Sequence, residues 1–322
     1  MAELRKPILV LSSPRACSNL FIKILSQHPQ LSVRPYEFHN VYLFGAEQLS
    51  QRKTPQFAAR IEAQTPEVRT LTYQKVFDKV TEFIEETQKK GNVPVIKEHT
   101  HQILDPRVAE AEFHFAAARE ARPTPIVKMP DNNMTNDSDI AKSPLLLPSD
   151  FLVTVQPVIL IRNPIRVVPS FYKVARVGFG ATVDDEDWPV QVSFKSSRLV
   201  YDWYRAQGIS PIVIDAYELV HKSQELMQEL CTRCDIDTKG IILSWDQYEP
   251  DEVLRQQSSW FSTLWNSTKI DPSVEPEAVC IQEEFVKWKE NWGEEVAMGI
   301  RRSVDIAQDD YAYLRKHALL RS

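Results

Sequence analysis

The chain has 322 residues, of which 43% are hydrophobic and 25% charged, and its formal net charge is −6. Apolar content at this level supports a sizeable core and excludes wholesale disorder, and the length still suits one large α/β domain. Lysines and arginines are scattered through an acidic chain, which leaves no basic face for a nucleic-acid backbone, so an anionic ligand must be held by a few local groups.

In chain order, the first apolar run, residues 8–11, is too short for a signal-peptide core or a membrane span, so a cytoplasmic protein without membrane contact is expected. Short β-branched runs at 8–11, 93–96, 158–161 and 212–214 read as buried parallel strands. Segments 18–25, 73–90, 164–174, 192–206, 219–231 and 281–314 carry the 3.6-residue apolar spacing of helices packed on a sheet. Three stretches rich in proline and polar residues, 51–69, 122–150 and 249–277, read as loops. The pattern predicts an α/β fold with a mostly parallel central sheet flanked by helices. The four cysteines, Cys17, Cys231, Cys234 and Cys280, are expected as reduced thiols. The Cys-x-x-Cys at 231–234 has no second ligand pair beside it, so no metal is expected.

Parallel sheets bind ligands beyond the carboxyl ends of their strands, and three predicted strand ends carry chemistry. The first continues Ser12-Ser13-Pro14-Arg15-Ala16-Cys17-Ser18-Asn19 into a helix. Unpaired N–H groups and the helix dipole favour an anion there, and Arg15 adds a full charge. The same residues also suit an ordinary capped helix start. The glycines and lysine of the nucleotide-triphosphatase loop are absent, which disfavours ATP or GTP hydrolysis.

The second strand end is Lys97-Glu98-His99-Thr100-His101. Alternation places Lys97 and His99 on one face and Glu98 on the other, which puts a proton acceptor beside a cation. A polar turn closing a strand would look the same. Glu98 and His101 are reserve candidates for the base, and the loss of β character after Thr100 favours His99 over His101. The third strand end is Arg162-Asn163-Pro164, with Ser170 eight positions after Arg162. A strand-end guanidinium and a serine in the following helix can meet one phosphate, although a surface ion pair and a back-bonded helical serine are equally open.

Taken together, Pro-Arg-x-x-Ser-Asn, Lys-x-His and Arg-Asn-Pro with its following serine resemble the PAPS-dependent sulfotransferases, and the wording around 13–20, 96–99 and 310–314 resembles their fungal sulfotransferase-like branch. The resemblance spans most of the chain. It implies a P-loop-NTPase-like sulfotransferase fold over 1–322 as a single domain, with insertions near 122–150 and 249–277 acting as a lid or as part of the acceptor pocket. It assigns the donor's 5′-phosphosulfate to Arg15, Ser18, Asn19 and the backbone of Ala16 and Cys17, and the 3′-phosphate to Arg162 and Ser170. His99 becomes the base and Lys97 the group that stabilises the transferring sulfonate.

The implied donor is PAPS, with PAP as product, the acceptor is a small-molecule hydroxyl, phenolic or alcoholic, and a homodimer is compatible with the resemblance. Tyr36, Phe38, His101, Trp260 and Trp265 are candidates for the pocket wall, although helical spacing from 260 to 265 also fits a core face. The sequence departs from the family's pattern at Arg15 and Cys17, where lysine and glycine are usual, at Leu20, where an aromatic stacks on adenine, and in lacking the glycine-rich element that caps the 3′-phosphate. Arg255 or Lys269 are candidates to replace that cap. Two alternatives follow from these departures. One is an enzyme that has kept its acid–base pair for elimination, cyclisation or isomerisation of a metabolite, and the other is a nucleotide-binding module without catalysis.

Overall fold

The computed structural model describes residues 5–113, 123–130, 140–247, 260, 264–275 and 278–320. Five strands, β1 (Ile8–Ser12), β2 (Leu31–Pro35), β3 (Val93–His99), β4 (Gln156–Ile161) and β5 (Ile212–Asp215), form one sheet in the order β2-β3-β1-β4-β5. Every pairing within this sheet is parallel. The chain winds to one side of β1 for β2 and β3 and to the other for β4 and β5. The carboxyl end of β1 therefore lies where the winding reverses, the usual ligand position in such sheets.

Alternation along the strands builds two cores. Leu9, Leu11, Ile96, Ile159, Ile161 and Val213 face the side covered by the helices Tyr73–Lys89 and Lys195–Ala206. Ile8, Val10, Val95, Val158, Leu160 and Ile214 face the side covered by Ser18–Leu25 and Ser223–Arg233. Burial on both faces explains why the central strands read as unbroken apolar runs. β2 breaks that rule: it lies at an edge, most of its residues are partly exposed, and Leu-Ser-Val-Arg-Pro carries no such run.

Several predicted helices are interrupted. The 219–231 segment becomes Ala216–His221 and Ser223–Arg233, the 192–206 segment becomes Trp188–Val192 and Lys195–Ala206, and the 281–314 segment becomes Ile281–Trp292 and Glu294–Arg315. Gly293, at φ 87°, makes the last break in a conformation that favours glycine. The expected loop at 51–69 contains the helices Pro55–Glu62 and Pro66–Arg69. Each prolines marks a first helical turn rather than a breaker, and Thr54 caps the first of these helices by accepting from Phe57 N. Among the described residues no helix is long and apolar enough to cross a membrane.

Candidate active site

The register Ser12↔His99 and Ser12↔Leu160 sets the carboxyl ends of β3, β1 and β4 side by side. This brings residues distant in sequence onto one cavity of about 930 Å³, lined among others by Arg15, Cys17, Tyr36, His99, Arg162 and Ser170.

The turn after β1 is not an ordinary capped helix start. Its N-cap residue is Cys17, which makes no side-chain cap bond, and Ser18 and Asn19 lie inside the helix and point elsewhere. Asn19 Oδ1 accepts from the Tyr36 hydroxyl at 2.5 Å, and Ser18 Oγ lies 3.4 Å from the same hydroxyl. Arg15 at φ 65° and Cys17 at φ 58° both adopt left-handed backbone without being glycine. Such residues cost on the order of 1–3 kcal/mol each and gather at functional sites. Tyr36, at φ 65°, is a third, and all three line this cavity.

Arg15 Nε donates to Ser170 Oγ at 3.0 Å and its NH1 to the Trp260 carbonyl at 2.9 Å, so its described partners are neutral. Burial and the neighbouring Arg162 both depress its pKa. Arg162, at the end of β4, directs Nε and NH2 at Glu275 Oε2, 2.6 and 2.5 Å away, and NH1 at the Arg15 carbonyl at 3.0 Å. Two guanidiniums thus stand together at the carboxyl edge of the sheet, and a carboxylate of the chain itself is held on one of them.

Beside them β3 ends in the expected alternation. Lys97 Nζ lies 3.2 Å from His99 Nδ1 and over the Tyr36 ring, 3.5 Å from its centre. Burial drives the Lys97 pKa well below its usual value, and burial and then the Lys97 charge do the same to His99. His99 is therefore neutral at physiological pH. Its Nδ1 also faces Ser12, 3.2 Å from Oγ and 3.3 Å from the carbonyl, so the other face of β1's last residue orients the ring. Glu98 points to the opposite face, where its Oε1 accepts from Phe38 N at 3.3 Å, and burial raises its pKa to about 8.

His101, in a short 3-10 turn after β3, stacks on His99 with ring centres 5.7 Å apart and lines the cavity. Trp260 lines it too, edge-on to Phe171. Two expected wall residues lie elsewhere. Phe38 is wholly buried in the core, stacked on Tyr73, and Trp265 is half-buried outside the residues lining the cavity. Ala16 likewise packs its methyl in the core under the turn, leaving only its backbone for a ligand.

Lys269 lines the cavity, whereas Arg255 lies outside the described residues. Described parts of 249–277 contribute to the wall, but no described residue of 122–150 does. Val127, Met129 and Ile140 pack instead on the core.

Residues not anticipated from the sequence complete the site. His39 receives the Gln102 side-chain amide on Nδ1 at 2.8 Å, and burial followed by the Lys97 charge lowers its pKa to about 4. Arg52 and Arg60 lie over the Phe179 ring, and Trp245 joins Leu20, Leu264 and Ile270 in an apolar patch beside the turn. A histidine three positions after Tyr36 was the available signal for His39. Trp245 follows the apolar run Ile241-Ile242-Leu243, away from the chemistry-bearing strand ends, and gave none. No group of three or more His, Cys, Asp or Glu residues able to hold a metal occurs among the described residues.

The turn after β1, the paired guanidiniums and the buried histidine gather at the switch point of a parallel α/β sheet, the usual place for a ligand. No family model matches the chain. It is 27% identical to the sulfotransferase ppzF of Metarhizium majus and 26% identical to that of Metarhizium rileyi, over 96% of this chain and 96% and 95% of those proteins. A crystal structure of the sulfotransferase STF9 from Mycobacterium avium matches at 12% identity and TM-score 0.35, covering 90% of this chain and 78% of that one. Similarity along nearly the whole length of the two ppzF proteins supports reading this chain as an enzyme of sulfotransferase type.

Proposed function

We propose that the protein transfers the sulfonate of PAPS to a phenolic or alcoholic hydroxyl of a small-molecule acceptor, with His99 as general base. The observation that carries this reading is the meeting of Arg15 and Arg162 with His99 on one cavity, with the wholly buried Lys97 set behind His99 rather than on the cavity wall.

The residues present fit such a donor. Two adjacent guanidiniums suit a ligand with two anionic groups, Ser170 stands beside Arg15, and the patch of Leu20, Trp245, Leu264 and Ile270 offers an apolar face to a base. The donor supplies an activated sulfonate and a nucleotide leaving group. His99, kept neutral by burial and by Lys97, accepts the proton of the acceptor hydroxyl; with Nδ1 turned to Ser12, Nε2 is the accepting atom. Arg15 supplies positive charge where negative charge develops, and Lys97 backs His99 as a buried hydrogen-bond donor. Tyr36, His39, His101, Phe44, Phe179 and Trp260 bound the acceptor space.

Incubation with PAPS and a panel of phenols and alcohols, following PAP release and binding of PAP by calorimetry, tests the reading. Absence of PAP binding sinks it. A second reading, acid–base catalysis on a metabolite without sulfonate transfer, is favoured by the Glu275 carboxylate already seated on Arg162. In that case PAP does not bind, yet His99→Ala still abolishes conversion of the metabolite.

A further inference from the structure

We propose that Glu275 determines how strongly this site takes a ligand's second anionic group: it occupies the Nε–NH2 edge of Arg162, for which an incoming phosphate must compete. The inference rests on the donor reading above and adds to it a residue that the donor motifs do not contain.

The contact is built rather than incidental. Glu275 is 3% exposed, and its side chain meets both Nε and NH2 of Arg162 through one oxygen. Its backbone is fixed as well. Its carbonyl accepts from His221 Nε2 at 2.6 Å, and its N–H closes the 3-10 turn Pro272–Val274 onto the Pro272 carbonyl at 3.2 Å. Farther back, Trp245 N donates to the Thr268 carbonyl at 2.8 Å, and Ile270 packs on the apolar patch beside the turn. The segment that carries Glu275 is thus anchored to the wall of the cavity.

Charge gives the contact its consequence. Arg15 and Arg162 repel each other, and among the described side chains Glu275 is the carboxylate that Arg162 grips. Glu275 offsets the Arg162 charge and leaves Arg15, whose described partners are neutral, to a first ligand anion. A second anion at the Nε–NH2 edge of Arg162 has to displace Glu275, because that edge offers one in-plane pair of N–H donors and Glu275 occupies both. Glu275 thereby discriminates between a nucleotide with a single 5′-anion and one with an added 3′-phosphate.

Calorimetry on the full chain and on Glu275→Gln, with adenosine 3′,5′-bisphosphate and adenosine 5′-monophosphate as probes, tests the proposal. Glutamine keeps a hydrogen-bond acceptor for Arg162 but removes the competing charge. Affinity for the bisphosphate is expected to rise on the order of tenfold, within the range of coupling between buried charges, while affinity for the monophosphate changes less than about twofold. An unchanged or weakened bisphosphate affinity in the variant overturns the proposal and leaves the donor reading standing. No bisphosphate binding by either protein overturns both.

Should the variant fail to fold, hydrogen exchange on the unmodified protein decides. The bisphosphate, but not the monophosphate, is expected to speed exchange in the peptide spanning 271–275. Slower or equal exchange there counts against displacement.

Discussion

Lys97 Nζ lies 3.2 Å from His99 Nδ1, and burial moves both groups away from their charged forms. A proton acceptor is thus held ready by a neighbour that opposes its protonation until a hydroxyl supplies the proton. His99→Ala is expected to lower sulfonate transfer by about 10²- to 10⁴-fold, the usual contribution of a positioned base. PAP affinity in the same variant should stay within about threefold, because a base lost from the transition state alone leaves ground-state binding in place. Glu98→Gln is the control. Its carboxyl faces the core and is pushed up to about 8, so glutamine mimics the form already present at neutral pH. Turnover lost in Glu98→Gln and kept in His99→Ala would reassign the base.

The histidine cluster also fixes the sign of the acid response. His39 is lowered from 6.5 to about 4 by burial and then by Lys97 and Arg60, and His101 from 6.5 to about 3 by burial and then by His39, Lys97 and Arg52. Below pH 6.5 the unfolded chain gains protons at both positions that the folded chain refuses. Their contribution is therefore intact above 6.5 and lost as pH falls toward 4. Urea midpoints are expected to decline across that window, and His39→Gln to flatten the decline. Glu98 acts in the opposite sense, because the unfolded chain releases its proton near 4.5 while the folded chain keeps it to about 8. Its contribution is complete below 4.5 and fades as pH rises to 8. Equal midpoints at pH 7 and 5 in Glu98→Gln, where the opposing carboxyl is gone, would contradict the histidine assignment.

Much of this site was legible because strand ends are local. Once residues 93–99 read as a strand, alternation alone put Lys97 with His99 and apart from Glu98. The same logic does not reach Glu275, which meets Arg162 across 113 positions, or Trp260, whose carbonyl meets Arg15 across 245. Those contacts arise from how late segments fold back over the sheet edge, and no periodicity encodes that. Phe38 was misplaced for a related reason. Its side chain follows the backbone turn after Tyr36, where φ is 65°, and the reversal sends it into the core against Tyr73 while its neighbours Tyr36 and His39 face the cavity. β2 escaped notice because an edge strand with polar residues lacks the apolar run that marked the others.

The Arg162–Glu275 pair makes a stability prediction separate from its role in binding. The side chains are 11% and 4% exposed, so removing one partner leaves the other charge buried and unpaired. Arg162→Met is expected to cost about 3–5 kcal/mol. Adding Glu275→Gln should recover most of that loss, since the orphaned carboxylate is then gone. Urea denaturation of both single variants and the double variant closes the cycle, and additive effects would show that the two side chains act independently.

Cys17 offers the sharpest test of the turn itself. Its φ of 58° lies in the left-handed region, where a side chain is tolerated at a cost and glycine at little. The thiol makes no capping bond, and burial raises its pKa, so the position is held by backbone geometry rather than by thiolate chemistry. Cys17→Gly should therefore keep the fold and, on the proposed donor reading, leave PAP affinity within about threefold, because the backbone N–H groups of the turn stay where they are. Cys17→Val places a β-branched side chain in a conformation such residues almost never adopt. It is expected to cost on the order of 2 kcal/mol in urea denaturation and to weaken PAP binding in parallel, by flattening the turn out of its anion-binding shape. Valine tolerated as well as glycine would mean that the left-handed turn is not what binds the donor.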